Sequence, residues 1–161
     1  MEPMNTFPEM SLPSSLLADR RDRFGIIRDL GISTLTYKVA RPDSTELFIA
    51  ENLMRAKGGP PRHMHLTQDE WFFVREGEFL MELGEKRHLL KAGDSIWGPR
   101  GVPHAWSYIS DGPGSIMFVF NPPAKIEAFF EELARLKSPA PSDPEFWRPF
   151  EMEFVGPPLQ L

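Results

Sequence analysis

The stretch that decides the fold is GGPPRHMHLTQDEWFFVREGEF, residues 58–79. It contains His63 and His65, two of the four histidines in the chain, separated by one residue. Because side chains at i and i+2 of a strand point to the same face, both imidazoles can approach one point. A turn or bulge at residues 66–68 would bring the carboxylate of Glu70 back to that face. The pattern therefore predicts a shared ligand site at the start of an aromatic strand.

A third imidazole comes from the segment GPRGVPH, in which a turn ends at His104 and a further strand is predicted to begin. The candidate site then has three imidazoles and one carboxylate, from His63, His65, Glu70 and His104. Such a set suits a divalent transition metal ion: Fe, Mn, Co, Ni, Cu or Zn. The chain has no cysteine, which argues against a structural zinc knuckle built from thiolates. The fourth histidine, His88, lies among charged residues and is not expected to be a ligand.

Between Thr34 and Asn121, short runs rich in β-branched and aromatic residues alternate with turn signals. This pattern predicts an all-β fold, a sandwich or barrel spanning residues 34–121. After Asn121 the apolar spacing becomes helical in AKIEAFFEELARLK, residues 124–137. The residues predicted to form the buried face of this amphipathic helix are Ile126, Phe129, Phe130, Leu133 and Leu136.

The two ends of the chain carry weaker signals. Residues 1–33 are predicted to be an N-terminal arm, with a short helix in SSLLADRRDRF that Ser14 or Ser15 would cap. Residues 122–161 are predicted to hold the helix and a proline-rich tail packed on the barrel. The tail contains Phe146, Trp147, Phe150 and Phe154, which suggests that it docks on the barrel or on a subunit partner.

Composition narrows the class of protein. The formal net charge of −5 disfavours a nucleic-acid partner, which requires a basic surface. The longest apolar runs, such as IMFVF, are too short to span a bilayer, so no membrane association is expected. The first ten residues lack the basic start and apolar run of a signal peptide, which makes a cytoplasmic location the expectation.

The spacing of the candidate ligands resembles the double motif of the cupin superfamily. The first segment reads His-x-His-x4-Glu-x6-Gly and the second reads Gly-x5-Pro-x-Gly-x2-His, formed by His63, His65, Glu70, Gly77, Gly93, Pro99, Gly101 and His104. The resemblance implies a cupin-type antiparallel β-barrel in jelly-roll order with a C-terminal helix. Two positions depart from the family pattern. Lys57 stands where the first motif usually has glycine, and Tyr108 stands where the second often has asparagine.

A narrower resemblance links GGPPRHMH, DEWFFVREGEF, GPRGVPHAW and NPPAKIEAFFEEL to the quercetin (flavonol) dioxygenase-like branch of cupins. In that branch the three histidines and the glutamate hold a divalent metal, and the glutamate also accepts the proton of the flavonol hydroxyl. The resemblance thus implies that Glu70 is catalytic as well as a ligand. Strand parity predicts that Phe72, Trp106 and Tyr108 face inward, where they either form the wall of an apolar ligand pocket or simply fill the barrel.

The resulting hypothesis is a metal-dependent dioxygenase that acts on an enol- or flavonol-like small molecule and forms a homodimer. One alternative is a cupin that binds a small ligand without catalysis. Another is an isomerase or epimerase acting on a sugar or keto acid, which would require a polar pocket. Fold alone does not decide among them, because function depends on the site.

Overall fold

A computed structural model describes residues 16–41 and 43–161 of the chain. The strands are β1 (Arg28–Asp29), β2 (Ser33–Val39), β3 (Phe48–Met54), β4 (Arg62–His65), β5 (Asp69–Glu76), β6 (Phe79–Leu83), β7 (Lys86–Leu90), β8 (Ser95–Gly98), β9 (His104–Tyr108), β10 (Gly114–Asn121) and β11 (Met152–Gly156). The helices are α1 (Ile126–Leu136) and α2 (Pro144–Trp147), and a 3-10 turn (Arg148–Phe150) follows α2. Within these ranges no helix combines the length and hydropathy that a bilayer crossing requires.

The strands form two antiparallel sheets. The first has the order β1-β2-β3-β10-β5-β8, and the second has the order β11-β4-β9-β6-β7. Buried aromatic and aliphatic side chains from both sheets and from α1 form one core. The all-β fold with a C-terminal helix is therefore confirmed. The sheets extend beyond the predicted barrel of residues 34–121, because β1 precedes it and β11 follows it.

The predicted helix at residues 14–24 is not seen in its described part. Ser14 and Ser15 lie outside the described residues, and the backbone from Leu16 to Ile27 forms turns and irregular structure. The carboxylate of Asp22 accepts hydrogen bonds from the backbone N–H groups of Phe24 and Ile26, at 2.8 and 3.0 Å. An aspartate that binds nearby backbone donors in this way competes with helix formation and favours a turn.

The predicted C-terminal helix is confirmed as α1, and four of its five expected apolar residues are buried: Ile126, Phe129, Phe130 and Leu133. Leu136 instead is 40% exposed. It occupies the last position of α1, where Lys137 leaves the helix in the left-handed conformation. The chain therefore turns away before the side chain of Leu136 is covered.

The proline-rich tail docks on its own barrel. Asp143 accepts a hydrogen bond from the backbone N–H of Glu145 and so caps α2, which begins with Pro144. After the 3-10 turn, β11 pairs antiparallel with β4. This pairing extends the second sheet by one strand and buries Met152.

One aromatic cluster lies on the outer face of the first sheet. The rings of Trp71 and Phe73 stack with centroids 5.7 Å apart, and Trp97, which pairs with Trp71, is 51% exposed. The parity of Trp71 and Phe73 is opposite to that of the inward-facing Phe72, as expected for a strand. The homodimer stays a prediction, and this face is where a second copy would find apolar surface.

Candidate metal centre

The four candidate ligands come from three strands that belong to both sheets. His63 and His65 lie on β4, and His63 pairs with His104 at the start of β9. Residues 66–68 carry the chain from β4 in the second sheet to β5 in the first. Glu70 therefore faces the histidines from the opposite sheet. The turn predicted at residues 66–68 is present, and it carries the chain from one sheet to the other.

The ligand atoms of these residues lie within 4.8 Å of one another. Each residue is at most 6% exposed. The Glu70 carboxylate oxygen Oε2 is 3.0 Å from Nε2 of His65 and 3.0 Å from Nε2 of His104. The structure thus brings together the four residues that the sequence pattern selected, in a buried cluster that could hold a metal ion.

Hydrogen bonds on the far side of each ring determine which nitrogen faces the cluster. Nδ1 of His63 is 2.7 Å from the carbonyl oxygen of Pro61, and Nδ1 of His104 is 3.4 Å from that of Val102. Carbonyl oxygens only accept, so each Nδ1 carries the proton and donates it. In the neutral form of each ring, Nε2 then carries the lone pair and is directed inward, as in most metal-bound histidines.

Gln68 fixes the third ring in the same way. Its side-chain nitrogen donates to the carbonyl oxygens of Pro122 and Pro123 at 3.1 and 2.9 Å. These two acceptors set the orientation of the amide, so its oxygen must face Nδ1 of His65, 2.7 Å away. Gln68 is 2% exposed. The sequence analysis missed this residue, although its place in the turn before Glu70 was visible.

The cluster has an electrostatic imbalance that a cation would remove. Nε2 of His65, Nε2 of His104 and Oε2 of Glu70 are buried and have no hydrogen-bond partner. When the rings are neutral and protonated at Nδ1, as metal binding requires, three lone pairs face one another at short range, which is costly in a dry interior without a cation. A divalent metal bound between them would satisfy all three atoms. The residues therefore fit the metal that the sequence pattern implied.

The protonation states also suit metal binding. Burial alone would raise the pKa of Glu70, but the imidazoles of His104 and His65 lower it to about 2. Burial is the main reason that the pKa of His63 lies well below its usual range, and His104 and His65 lower it further. Glu70 is consequently ionised and His63 neutral at pH 7, the forms in which these side chains bind metals.

Trp147 is a second residue that the sequence analysis did not connect to the site. Its indole is fully buried and stacks on His63, with ring centroids 4.7 Å apart. Its Nε1–H donates to the carbonyl oxygen of Pro141 at 2.8 Å, which fixes the ring. In the same tail, Met152 and Phe154 of β11 pair with His65 and His63 of β4. The tail therefore supports the strand that carries two of the four ligands.

A cavity that is partly open to solvent adjoins the cluster. Most of its walls are aromatic or aliphatic, supplied by strands of both sheets, by α1 and by the tail. Three residues of the ligand cluster, His63, His65 and Glu70, are part of its lining.

Of the three predicted pocket residues, Trp106 lines the cavity, whereas Phe72 and Tyr108 do not. The ring of Phe72 lies in the core, edge-on to His104 at 5.5 Å. Tyr108 is at the far end of β9 from His104, and its hydroxyl donates to the carbonyl oxygen of Gly112. Parity selected the inward face correctly, but it does not distinguish a cavity wall from filled core.

The remaining residues near the motifs have other partners. Asp69 binds the guanidinium of Arg100 through both carboxylate oxygens, at 3.1 and 3.0 Å. Arg62 donates to Glu82 and to the carbonyl oxygen of Gly84. His88 is exposed on β7 and is not part of the cluster, as expected.

Comparison with known proteins finds one matching domain family and one curated relative. Residues 52–120 match the family described as the Cupin domain. An uncharacterized protein of Methanocaldococcus jannaschii is 34% identical over 61 residues, 38% of this chain and 49% of the relative. The chain thus spans about half the length of the curated relative that it matches.

Solved structures share the fold. An RmlC-like cupin from Shewanella frigidimarina NCIMB 400 aligns with a TM-score of 0.54 and 23% identity, over 66% of this chain and 88% of its own. KdgF from Halomonas sp. aligns with a TM-score of 0.51 and 20% identity, over 56% of this chain and 79% of its own. The family match thus covers residues 52–120, and these solved structures share the fold.

Proposed function

We propose that this protein is a metal-dependent cupin dioxygenase that acts on an enol- or flavonol-like small molecule. The observation that carries the proposal is the position of the ligand cluster. Three fixed imidazoles and one carboxylate form one cluster, and three of its residues, His63, His65 and Glu70, line an apolar cavity. A dioxygenase adds both atoms of O2 to its substrate, so the reaction needs no external reductant.

The ligands named above, His63, His65, Glu70 and His104, would hold the metal. A bound first-row divalent ion would supply Lewis-acid polarisation of a substrate oxygen. The contribution of the chain is to keep the imidazoles in one orientation through Pro61, Gln68 and Val102. A site held in this way need not reorganise when the substrate arrives.

Glu70 would accept the proton of the substrate hydroxyl. Among the described residues that line the cavity it is the only one with a carboxylate. It is ionised at neutral pH, since its pKa is about 2. Its position within the ligand cluster would place it beside an enol oxygen directed at the metal, where the proton can pass to a carboxylate oxygen.

The cavity walls favour an apolar substrate over a sugar. Phe118, Phe120 and Phe130 contribute aromatic surface, and outside the ligand cluster only Ser33 and Asn52 supply a hydroxyl or an amide to the described lining. Sugar isomerases and epimerases need hydrogen-bonding partners for several hydroxyl groups. Apolar walls also exclude water from a reactive enolate.

Metal analysis followed by an O2-uptake assay tests the proposal. Purified protein would be stripped with a chelator, loaded separately with Fe, Mn, Co, Ni, Cu or Zn, and mixed with flavonols and related enols. We expect O2 uptake that requires a redox-active metal and is absent from the stripped protein.

Two other results would count against the proposal in different ways. Tight binding of an enol without O2 uptake under any metal would leave a non-catalytic binding cupin. Absence of metal binding by the stripped protein, with His104→Ala indistinguishable from wild type, would remove the metal centre itself.

A further inference from the structure

Asn52 is a buried amide in the cavity wall whose oxygen lacks a partner. The residue is 4% exposed, it lines the cavity, and its Oδ1 has no hydrogen-bond partner. A buried amide oxygen that accepts no hydrogen bond is destabilising, so native structures rarely retain one without a reason. A ligand in the cavity would give this amide its partner.

The strand register places Asn52 far from the metal cluster. Phe120 of β10 pairs with Glu70 on one side and with Phe48 on the other, which puts Phe48 at the level of Glu70. Asn52 lies four residues further along β3. At about 3.3 Å per residue, this offset corresponds to about 13 Å along the strands.

The cavity reaches both points, and the wall between them is apolar. Its described lining includes Glu70 and Asn52, and also Trp106, Phe118 and Phe130. The rings of Phe118 and Phe130 stack with centroids 6.4 Å apart, and Trp106 lies 5.7 Å from Phe118. A flat apolar body would match these walls.

The chemistry at the Asn52 end is neutral. The ionisable side chains in the described lining are His63, His65 and Glu70, which all belong to the ligand cluster. Ser33 lines the cavity on the neighbouring strand, diagonal to Asn52, because Ser33 pairs with Met54 and Leu35 pairs with Asn52. An amide and a hydroxyl recognise a neutral donor or acceptor, whereas an ionised group would be buried there without a counter-charge.

We infer that the cavity takes an elongated molecule with an oxygen ligand for the metal at one end and a neutral hydroxyl at the other, bound by Asn52. The apolar body of the molecule lies between Trp106, Phe118 and Phe130. This inference rests on the proposed function, and it adds a specificity-determining residue and the substrate shape that the residue selects.

Binding to zinc-loaded protein tests the inference, because zinc is redox-inactive and turnover does not interfere. Tropolone is a short metal chelator that does not extend to Asn52. The compounds 3-hydroxyflavone and 3,4′-dihydroxyflavone differ by one hydroxyl remote from the chelating oxygens. We expect the distal hydroxyl to lower the Kd for wild-type protein by about tenfold, the scale of one buried hydrogen bond.

Two variants assign that difference to a residue. Asn52→Leu keeps the side-chain size and should abolish the tenfold difference while leaving the Kd of tropolone unchanged. Thr36→Val is the matched control. Thr36 also has a buried hydroxyl without a partner, but it does not line the cavity. This control should retain the difference between the two flavones.

Each contrary outcome has a distinct meaning. Equal affinity of wild-type protein for the two flavones would overturn the inference, and this comparison needs no variant. An unchanged ratio in Asn52→Leu would overturn it as well. Binding of tropolone alone would show that the cavity rejects elongated ligands, while the metal centre would stand. Failure of all three probes would remove both the proposed function and this inference.

Discussion

The indole of Trp147 stacks on the imidazole of His63, with an angle of 27° between the two ring planes. One ring belongs to the C-terminal tail and the other to strand β4 at the centre of the ligand cluster. The contact couples the folding of the tail to the position of a candidate metal ligand. It also closes one wall of the cavity.

Replacing Trp147 with alanine should lower both stability and metal affinity. Removal of a fully buried tryptophan costs about 3–5 kcal/mol of unfolding free energy, and His63 would lose the surface that fixes its ring. Trp147→Phe keeps an aromatic ring and should recover part of the stability and part of the metal affinity. Thermal unfolding of the stripped protein and Co2+ titration measure the two effects. Trp97→Ala, at a half-exposed position, is the control. Equal Co2+ affinities in all variants would show that the stack does not position His63.

The histidines offer a matched pair of variants. His104→Ala should lose most of its bound metal because it removes one of four clustered ligands. His88→Ala should keep the metal content of wild type, because His88 is exposed on β7. Metal content after loading and desalting, measured by atomic emission, distinguishes the two. Equal loss of metal in both variants would mean that the assignment of His104 as a ligand and of His88 as a non-ligand is wrong.

Gln68 should affect metal affinity without touching the metal. Gln68→Met keeps the side-chain length but removes the acceptor for Nδ1 of His65 and the donors to Pro122 and Pro123. Loss of such an outer partner typically lowers metal affinity by about 10–100-fold. Competition with a fluorescent zinc chelator gives the affinity. Thr67→Ala, one residue away and exposed, should show no change.

Glu70→Gln separates ligation from proton transfer. Glutamine keeps an oxygen donor toward the metal but cannot accept the substrate proton. We expect bound metal and enol binding to persist while O2 uptake falls by about 10²–10⁴-fold, the usual scale for loss of a general base. Asp69→Asn removes the neighbouring carboxylate, which faces Arg100, and should remain active. Full activity in Glu70→Gln would exclude Glu70 as the base.

The stability of the metal-free protein should fall in mild acid. Burial lowers the folded-state pKa of His63 below its usual value of 6.5. As the pH drops below about 6.5, the unfolded chain binds a proton at His63 that the folded chain does not. The unfolding free energy therefore decreases, by at most about 1.4 kcal/mol per pH unit for one group.

Urea unfolding between pH 8 and pH 5 measures this dependence. Above the unfolded pKa, His63 is neutral in both states and contributes no slope. His63→Leu removes the titrating group and should flatten the profile below pH 6.5. Parallel profiles for wild type and His63→Leu would contradict the prediction.

Local periodicity and turn chemistry determined much of this protein from the sequence. The two-residue repeat of a strand places His63 and His65 on one face. The turn before His104 predicts that a strand begins with the third imidazole. The 3.6-residue repeat predicts α1 and four of its buried residues. These features depend on neighbours in the chain, which is why a pattern of residue types suffices to predict them.

Only the tertiary structure revealed what surrounds these residues. The stack of Trp147 on His63, the contact of Gln68 with Pro122 and Pro123, and the addition of β11 to the second sheet join segments distant in sequence. Trp106 lines the cavity whereas Tyr108 lies in the core, and this difference depends on how the two sheets and α1 pack. Local patterns specify the face to which a side chain points. What it meets there depends on the packing of the whole chain.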